Sequence, residues 1–162
     1  MKFILAALAI LAAAGPARAD SAAALLDRLE GDWVAAGEAF GAPADSQMRW
    51  TPALGGKFMR LEYRIEMRPA GKEPSVFEGV AFYDRVDGER AFWADNSGDL
   101  HPIRAETDGA ALIAHWGVAG AKQGRTRYEA TVEGKVAVTD WLLTKEGWRR
   151  FNATTFERRK DD

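Results

Sequence analysis

The sequence predicts an all-β protein: a closed up-and-down antiparallel barrel of about ten strands, with a short N-terminal helix before the first strand. Residues 59–68 alternate apolar and charged side chains with a period of two, which only a β-strand has. Strand-like segments follow one another with Asp-Gly and Glu-Gly turn signals between them and without intervening helices. A long strand with one solvent-exposed face requires a strongly curved sheet, and closing that sheet into a barrel removes its exposed edges.

The first 19 residues are typical of a secretory signal peptide. Lys2 supplies the positive start, residues 3–14 the apolar segment and Ala17-Arg18-Ala19 the cleavage pattern. The apolar segment, about 12 residues long, is shorter than the roughly 20 residues that a membrane-spanning helix needs. We therefore expect a mature chain that begins at Asp20, has no membrane span and is periplasmic or secreted.

Residues 20–162 fit a single domain, and their composition excludes several kinds of function. The whole chain carries 22 Lys and Arg against 24 Asp and Glu, and this balance does not favour nucleic acid, which requires a basic surface. The chain has no cysteine, so neither disulfides nor thiolate chemistry is expected. Two histidines cannot supply the three or four converging ligands of a zinc site, and we expect neither a metal nor a cofactor.

The helix is predicted over residues 21–29, where Ser21 is a suitable N-cap. Its apolar stripe can lie across one end of the barrel and consists of Ala24, Leu25, Leu26 and Leu29. Gly31 ends the helix, and a first strand of about eight residues follows as far as the Gly and Pro of residues 41–43.

A short second strand is predicted over residues 47–51, stopped by Pro52. The long third strand is expected to begin at Leu54. Its inward side chains are predicted to be Met59, Leu61, Tyr63, Ile65 and Met67. Seven further strands are predicted over residues 76–85, 90–96, 100–106, 111–116, 125–133, 135–144 and 148–157.

Three groups of residues occur in an order shared with a known family. They are Leu29-Glu30-Gly31-Asp32-Trp33, Arg49-Trp50 followed by residues 54–58, and Phe82-Tyr83-Asp84 followed by residues 92–98. Together they resemble a lipocalin-like domain family of bacterial exported proteins of uncharacterised function, within the calycin group of lipocalins, fatty-acid-binding proteins and nitrobindins. The resemblance covers about residues 25–158. It implies a closed barrel whose interior can take a small apolar ligand, and it implies no established reaction.

The same resemblance implies a structural role for Trp33, whose counterpart in calycins packs at the closed end of the barrel beneath an arginine of the last strand. Arg149, Arg150 or Arg158 can supply that cation. A core tryptophan without a special partner is the alternative. Haem binding of the nitrobindin kind requires an axial histidine from the closing strands, and residues 152–158 contain none.

Candidate ligand-binding residues come from the aromatic content and from polar residues on strand faces that could point inward. The chain has six Trp, eight Phe and three Tyr, and ligand sites are mostly apolar with a few polar anchors. The candidates are Tyr63, Glu78, Phe82, Trp93, Asp95, His115, Trp116 and Asp140, with Met59, Leu61, Ile65 and Phe92 as further lining. An inward carboxylate more often pairs with an arginine than acts as an acid or base, and both His101 and His115 are more often structural. Residues 95–99 superficially resemble a calcium loop but fit a tight turn, and residues 117–124 fit a flexible hairpin loop.

Three functions remain open. The first is an exported, non-catalytic barrel that binds a small apolar or amphipathic molecule inside. The second is an enzyme that acts on such a molecule through an inward Asp, Glu or His, and a cavity with one buried carboxylate of raised pKa would favour it. The third is an envelope interaction protein, which a filled interior would favour.

Overall fold

The computed structural model describes residues 21–86 and 88–160, which form a closed ring of ten antiparallel strands and one short helix. The predicted all-β barrel is confirmed. The predicted signal peptide lies outside the described residues, as do Asp87 and the end of the tail, residues 161–162. Among the described helices, none is long and apolar enough to cross a membrane.

The elements follow the chain in a simple order. They are α1 (Ala22–Leu29), β1 (Gly31–Ala39), β2 (Ala42–Ala53), β3 (Phe58–Met67), β4 (Ser75–Asp84), β5 (Arg90–Asp95), β6 (Leu100–Asp108), β7 (Ala111–Gly117), β8 (Gln123–Ala130), β9 (Val136–Thr144) and β10 (Gly147–Arg158).

Each strand pairs with the next, and β10 returns to pair with β1. Because successive strands run in opposite directions, the turns after β1, β3, β5, β7 and β9 all lie at one end of the barrel, which we call the mouth. Helix α1 leads directly into β1 at the opposite end, the helix end. The mouth and the helix end are therefore built from different connections.

Helix α1 forms as the sequence predicts. The Ser21 hydroxyl accepts a hydrogen bond from the Ala24 amide at 3.2 Å, which caps the first turn. Leu25, Leu26 and Leu29 are buried against the barrel, where α1 contacts β6 and β7. Their burial closes the helix end to solvent.

The barrel closes around Trp33 and Arg158, which are paired positions of β1 and β10. The Arg158 guanidinium lies 4.4 Å from the centre of the Trp33 ring and also donates to the Glu30 carbonyl at 3.0 Å. The Trp33 indole donates to the Leu29 carbonyl at 2.7 Å, which ties the end of α1 to β1. Gly31 has a φ of +124°, and a Cβ there would lie 2.1 Å from Arg158 Nη1, so this position requires glycine.

The predicted closing role of Arg149 and Arg150 is wrong. Strand β10 runs from the mouth to the helix end, so its first residues lie at the far end of the barrel from Trp33. Both arginines are exposed, and only Arg158 reaches the ring.

The predicted face of β3 is confirmed at the helix end and along its middle. Met59, Leu61 and Ile65 have no exposed surface, whereas Arg64 forms an outer ion pair with Glu78 on β4. Leu54 does not begin this strand as predicted. It is 69% exposed in a turn with a φ of +50°, and β3 begins at Phe58.

Strand β2 is longer than the predicted 47–51 segment. It includes Pro43 and Pro52, and its inward residues near the mouth are Ala44 and Ser46. Short side chains on the buried face hide the alternation, because they are neither clearly apolar nor clearly polar. Pro43 lacks an amide donor, but its carbonyl still accepts from the Arg68 amide at 2.8 Å.

Replacement of Leu61 by Ala is expected to lower the free energy of unfolding by about 2 to 5 kcal/mol, because a fully buried side chain is removed. Replacement of its exposed neighbour Glu62 by Ala is expected to cost less than about 0.5 kcal/mol. Urea denaturation midpoints of the two variants measure the difference. Equal losses on both faces would contradict the assignment of the inner face.

Candidate functional site

A cavity of about 340 Å³ lies inside the mouth half of the barrel. This is within the size range of small-molecule sites, and it would hold roughly eleven water molecules at about 30 Å³ each. Most of its wall is apolar or aromatic, including Phe77, Trp93 and Trp116. Exposed residues such as Lys122 and Arg149 also line it, so the cavity reaches the surface at the mouth.

Two tryptophans of the wall occupy space that glycine leaves on a neighbouring strand. A Cβ on Gly79 would lie 2.0 Å from Trp93 Cζ2, and a Cβ on Gly124 would lie 2.0 Å from Trp116 Cζ2. Neither glycine has a positive φ, so space rather than backbone conformation requires it. The two indoles thereby pack against the wall instead of filling the lumen.

Aromatic rings also form the rim of the cavity. Phe40 lies in the two-residue turn between β1 and β2 with a φ of +51°, a conformation that is strained for a bulky residue. Its ring stacks on Phe151 at 5.7 Å between centroids and meets Phe77 edge-on at 5.8 Å. These contacts offset the strain and hold an apolar ring at the mouth.

A chain of hydrogen bonds crosses the wall of the cavity. The Trp116 indole donates to Thr126 Oγ1 at 3.3 Å, and the Thr126 hydroxyl donates to Asp140 Oδ1 at 2.7 Å. Asn152 Nδ2 donates to Asp140 Oδ2 at 2.9 Å. Thr126, Asp140 and Asn152 are successive cross-strand partners on β8, β9 and β10, which places them side by side.

Asp140 is the charged centre of this chain. Burial raises the pKa of its carboxyl, and the hydrogen bonds from Thr126 and Asn152 only partly oppose that rise. Part of its surface is accessible because the residue borders the cavity, yet protein surrounds it on the other sides. Within the described residues it forms no ion pair, so no cationic side chain compensates the carboxylate when it is ionised.

Three tyrosines border the same cavity, and burial raises the pKa of each. The negative charge of Asp140 adds to the rise for Tyr63, Tyr83 and Tyr128. All three therefore stay protonated and uncharged at neutral pH. The enclosed hydroxyl of Tyr63 lies near Asn152 but makes no hydrogen bond of good geometry within the described residues.

The mouth carries a second polar group around Asp95. Burial pushes the pKa of this carboxyl up, but hydrogen bonds from Ser97 and from the Trp93 indole at 2.8 Å outweigh it and hold the pKa below its ordinary value. The turn after Asp95 forms as predicted, with Gly98 at a φ of +89°. Asp95 is therefore an ionised carboxylate whose oxygens already accept hydrogen bonds from protein donors.

Five of the predicted ligand-binding residues border the cavity. They are Tyr63, Trp93, Asp95, Trp116 and Asp140. Their contact with a ligand stays a prediction. The same wall includes three residues that the sequence did not single out as ligand-binding, namely Thr126, Tyr83 and Tyr128. It also includes His101, which was expected to be structural and whose imidazole stacks on Trp116 at 5.3 Å between centroids.

The predicted inner face of β4 is wrong, and Glu78 and Phe82 lie outside. Glu78 pairs with Arg64 on the outer surface, and Phe82 stacks on Phe92 there at 5.4 Å. Phe92 is itself 42% exposed, so it does not line the interior as expected. Apolar residues occupy both faces of β4, and the signal that separates them is the opposite charge of Glu78 and its cross-strand partner Arg64.

His115 also lies outside. Its imidazole nitrogen Nε2 is 2.9 Å from Glu106 Oε1 on the outer surface, while Ala114 and Trp116 face the lumen. Asn152 was missed for a different reason, because a β-bulge between Arg150 and Asn152 shifts the alternation of β10. A bulge leaves no clear mark in the sequence.

Among residues 21–86 and 88–160, no cluster of three or more His, Cys, Asp or Glu could hold a metal ion. The chain matches no model of a known protein family, and no curated protein matches it in sequence.

Replacement of Thr126 by Val is expected to raise the pKa of Asp140 further, because it removes a donor to the carboxylate at nearly constant volume. A hydrogen bond to a charged group contributes about 1.5 to 3 kcal/mol, which corresponds to a rise of about one to two pKa units. A ¹³C NMR titration of the Asp140 carboxyl measures it. Thr155→Val, on the exposed face of β10, is the control and should leave the pKa unchanged. An unchanged or lowered pKa in Thr126→Val would contradict the donor role of Thr126.

Proposed function

We propose that this chain is an exported, non-catalytic barrel of the calycin kind that binds one small apolar or amphipathic molecule in its interior. The observation that carries the proposal is the aromatic-lined cavity of about 340 Å³ that reaches the mouth. Ligand sites combine such apolar walls with a small number of placed polar groups. Asp140 and Thr126 supply polar groups in the cavity wall, and Asn152 holds Asp140 by a hydrogen bond.

The cavity also helps to decide between the two alternative functions, an interaction protein and an enzyme. A barrel that serves only as an interaction module has no need of internal space, so the cavity counts against that function. The enzyme alternative gains support from Asp140, because a buried carboxylate with a raised pKa suits a general acid or base. Both oxygens of Asp140 already accept protein hydrogen bonds, which favours a binding anchor over a proton-transfer group.

An apolar fluorescent dye titrated against the protein should saturate at one molecule per chain and change the tryptophan fluorescence, since Trp93 and Trp116 border the cavity. Replacement of Ala114 by Phe should weaken binding about tenfold or more, because Ala114 is buried in the cavity wall and a ring there would occupy ligand space. Ala153→Phe, exposed on the outside of β10, is the matched control and should bind as the parent does. Far-UV circular dichroism establishes that both variants fold.

Absence of saturable binding in the parent protein, or equal binding in the two variants, would contradict an interior site. Mass spectrometry of the molecule recovered after incubation separates the two remaining functions. An unaltered mass is expected for a binding protein. A changed mass that Asp140→Asn prevents would favour the enzyme.

The proposal includes export, which rests on the first 19 residues. N-terminal sequencing of the protein from the periplasm or culture medium of its host should give Asp20 as the first residue. Recovery of the intact chain from Met1 in the membrane fraction would contradict export with cleavage.

A further inference from the structure

Asp140 borders the cavity, is otherwise surrounded by protein, and has no positively charged partner within the described residues. Buried charges in proteins are normally paired, because removing an ion from water is costly. Two cations border the cavity, and both lie at the mouth. Lys122 already pairs with Asp99 at 2.6 Å, and Arg149 is exposed to solvent and forms no ion pair within the described residues.

The surrounding hydrogen bonds all direct donors toward Asp140. Because Thr126 Oγ1 accepts from the Trp116 indole, its own proton is free to be given to Asp140. The Asn152 amide donates to the other carboxylate oxygen. An ionised carboxylate has about four lone-pair sites, so two remain for a ligand. The wall therefore offers a ligand negative charge and acceptors, which suit a cationic donor and repel an anion.

The rings near Asp140 suit the same ligand group. Tyr63, Tyr83 and Tyr128 line the same cavity as Asp140, together with Trp93 and Trp116. The faces of aromatic rings attract cations, and the attraction increases where water is excluded. A carboxylate and several aromatic rings in the wall of one cavity suit an ammonium group.

We propose that the cavity selects a molecule with an apolar or aromatic body and one protonated amine, with the ammonium group held by Asp140. This inference rests on the proposed function and names the ligand class of that same site. A fatty acid or another simple anion is then a poor ligand, since its carboxylate would meet Asp140 without an intervening cation.

Three probes that share one aromatic body test the inference by isothermal titration calorimetry at neutral pH: naphthylethylamine, naphthylethanol and naphthylacetic acid. The amine is expected to bind about tenfold or more tighter than the alcohol, and the acid is expected to bind most weakly. Replacement of Asp140 by Asn keeps the size of the side chain and removes its charge. It should weaken amine binding about tenfold or more and leave alcohol binding within about threefold of the parent.

Asp108→Asn is the matched control, because Asp108 is an exposed carboxylate on β6 that pairs with Arg127 and does not line the cavity. Its effect on amine binding should stay within about threefold. Tightest binding of the acid or equal binding of all three probes would overturn the inference. So would an amine preference that Asp140→Asn retains and that replacement of the other cavity-lining carboxylate, Asp95→Asn, removes.

Two outcomes separate this inference from the proposed function. If an apolar dye saturates the cavity but the amine binds no more tightly than the alcohol, the barrel binds a ligand of another class. Only the inference then fails. If neither the dye nor any naphthyl probe saturates, the proposed function fails and the inference fails with it. Equal loss of amine and alcohol binding in a folded Asp140→Asn variant would show that Asp140 shapes the cavity rather than holds a charge.

Discussion

The width of the ring is the constraint on which the rest of this structure depends. Ten strands enclose more interior than eight, and eight is about the number whose inward side chains just fill a barrel. At the helix end the surplus is filled by large side chains, with Trp50 packed at 5.4 Å from Tyr83 and 5.2 Å from Tyr128 between ring centroids. At the mouth, the indoles of Trp93 and Trp116 pack into the space beside Gly79 and Gly124, and the interior volume that remains is the cavity.

The mouth half of the barrel contains several local conflicts that cost stability. Phe40 has a strained backbone, the Tyr63 hydroxyl lacks a good partner within the described residues, and burial raises the pKa of the Asp140 carboxyl. Natural proteins tend to concentrate such local conflicts at functional sites, where geometry matters more than stability. At the helix end, Trp33 and Arg158 each have a partner for their polar atoms, whereas the buried indole nitrogen of Trp50 has none among the described residues.

The sequence predicted the barrel well because most of its signals are local. The alternation of β3, the N-cap at Ser21 and the Gly-containing turns each depend on neighbouring residues alone. The site was only partly predictable because it depends on which face of each strand is inward. On β4, apolar residues on both faces obscured that choice, and only the charge of Glu78 against Arg64 resolves it. On β10, the bulge before Asn152 changed the face within one strand, and alternation alone does not reveal such a shift.

The seam between the first and last strands also governs when this chain can become a barrel. Its paired positions are Trp33 with Arg158 and Val34 with Glu157, and the hydrogen bond from Arg158 to Glu30 joins residues 128 positions apart. While the chain is being synthesised, β1 has one unpaired edge that nothing can cover until β10 emerges. The ring can therefore close only after β10 has been made, and until then the nascent protein passes through an open-edged stage in which it is most prone to pair with other chains.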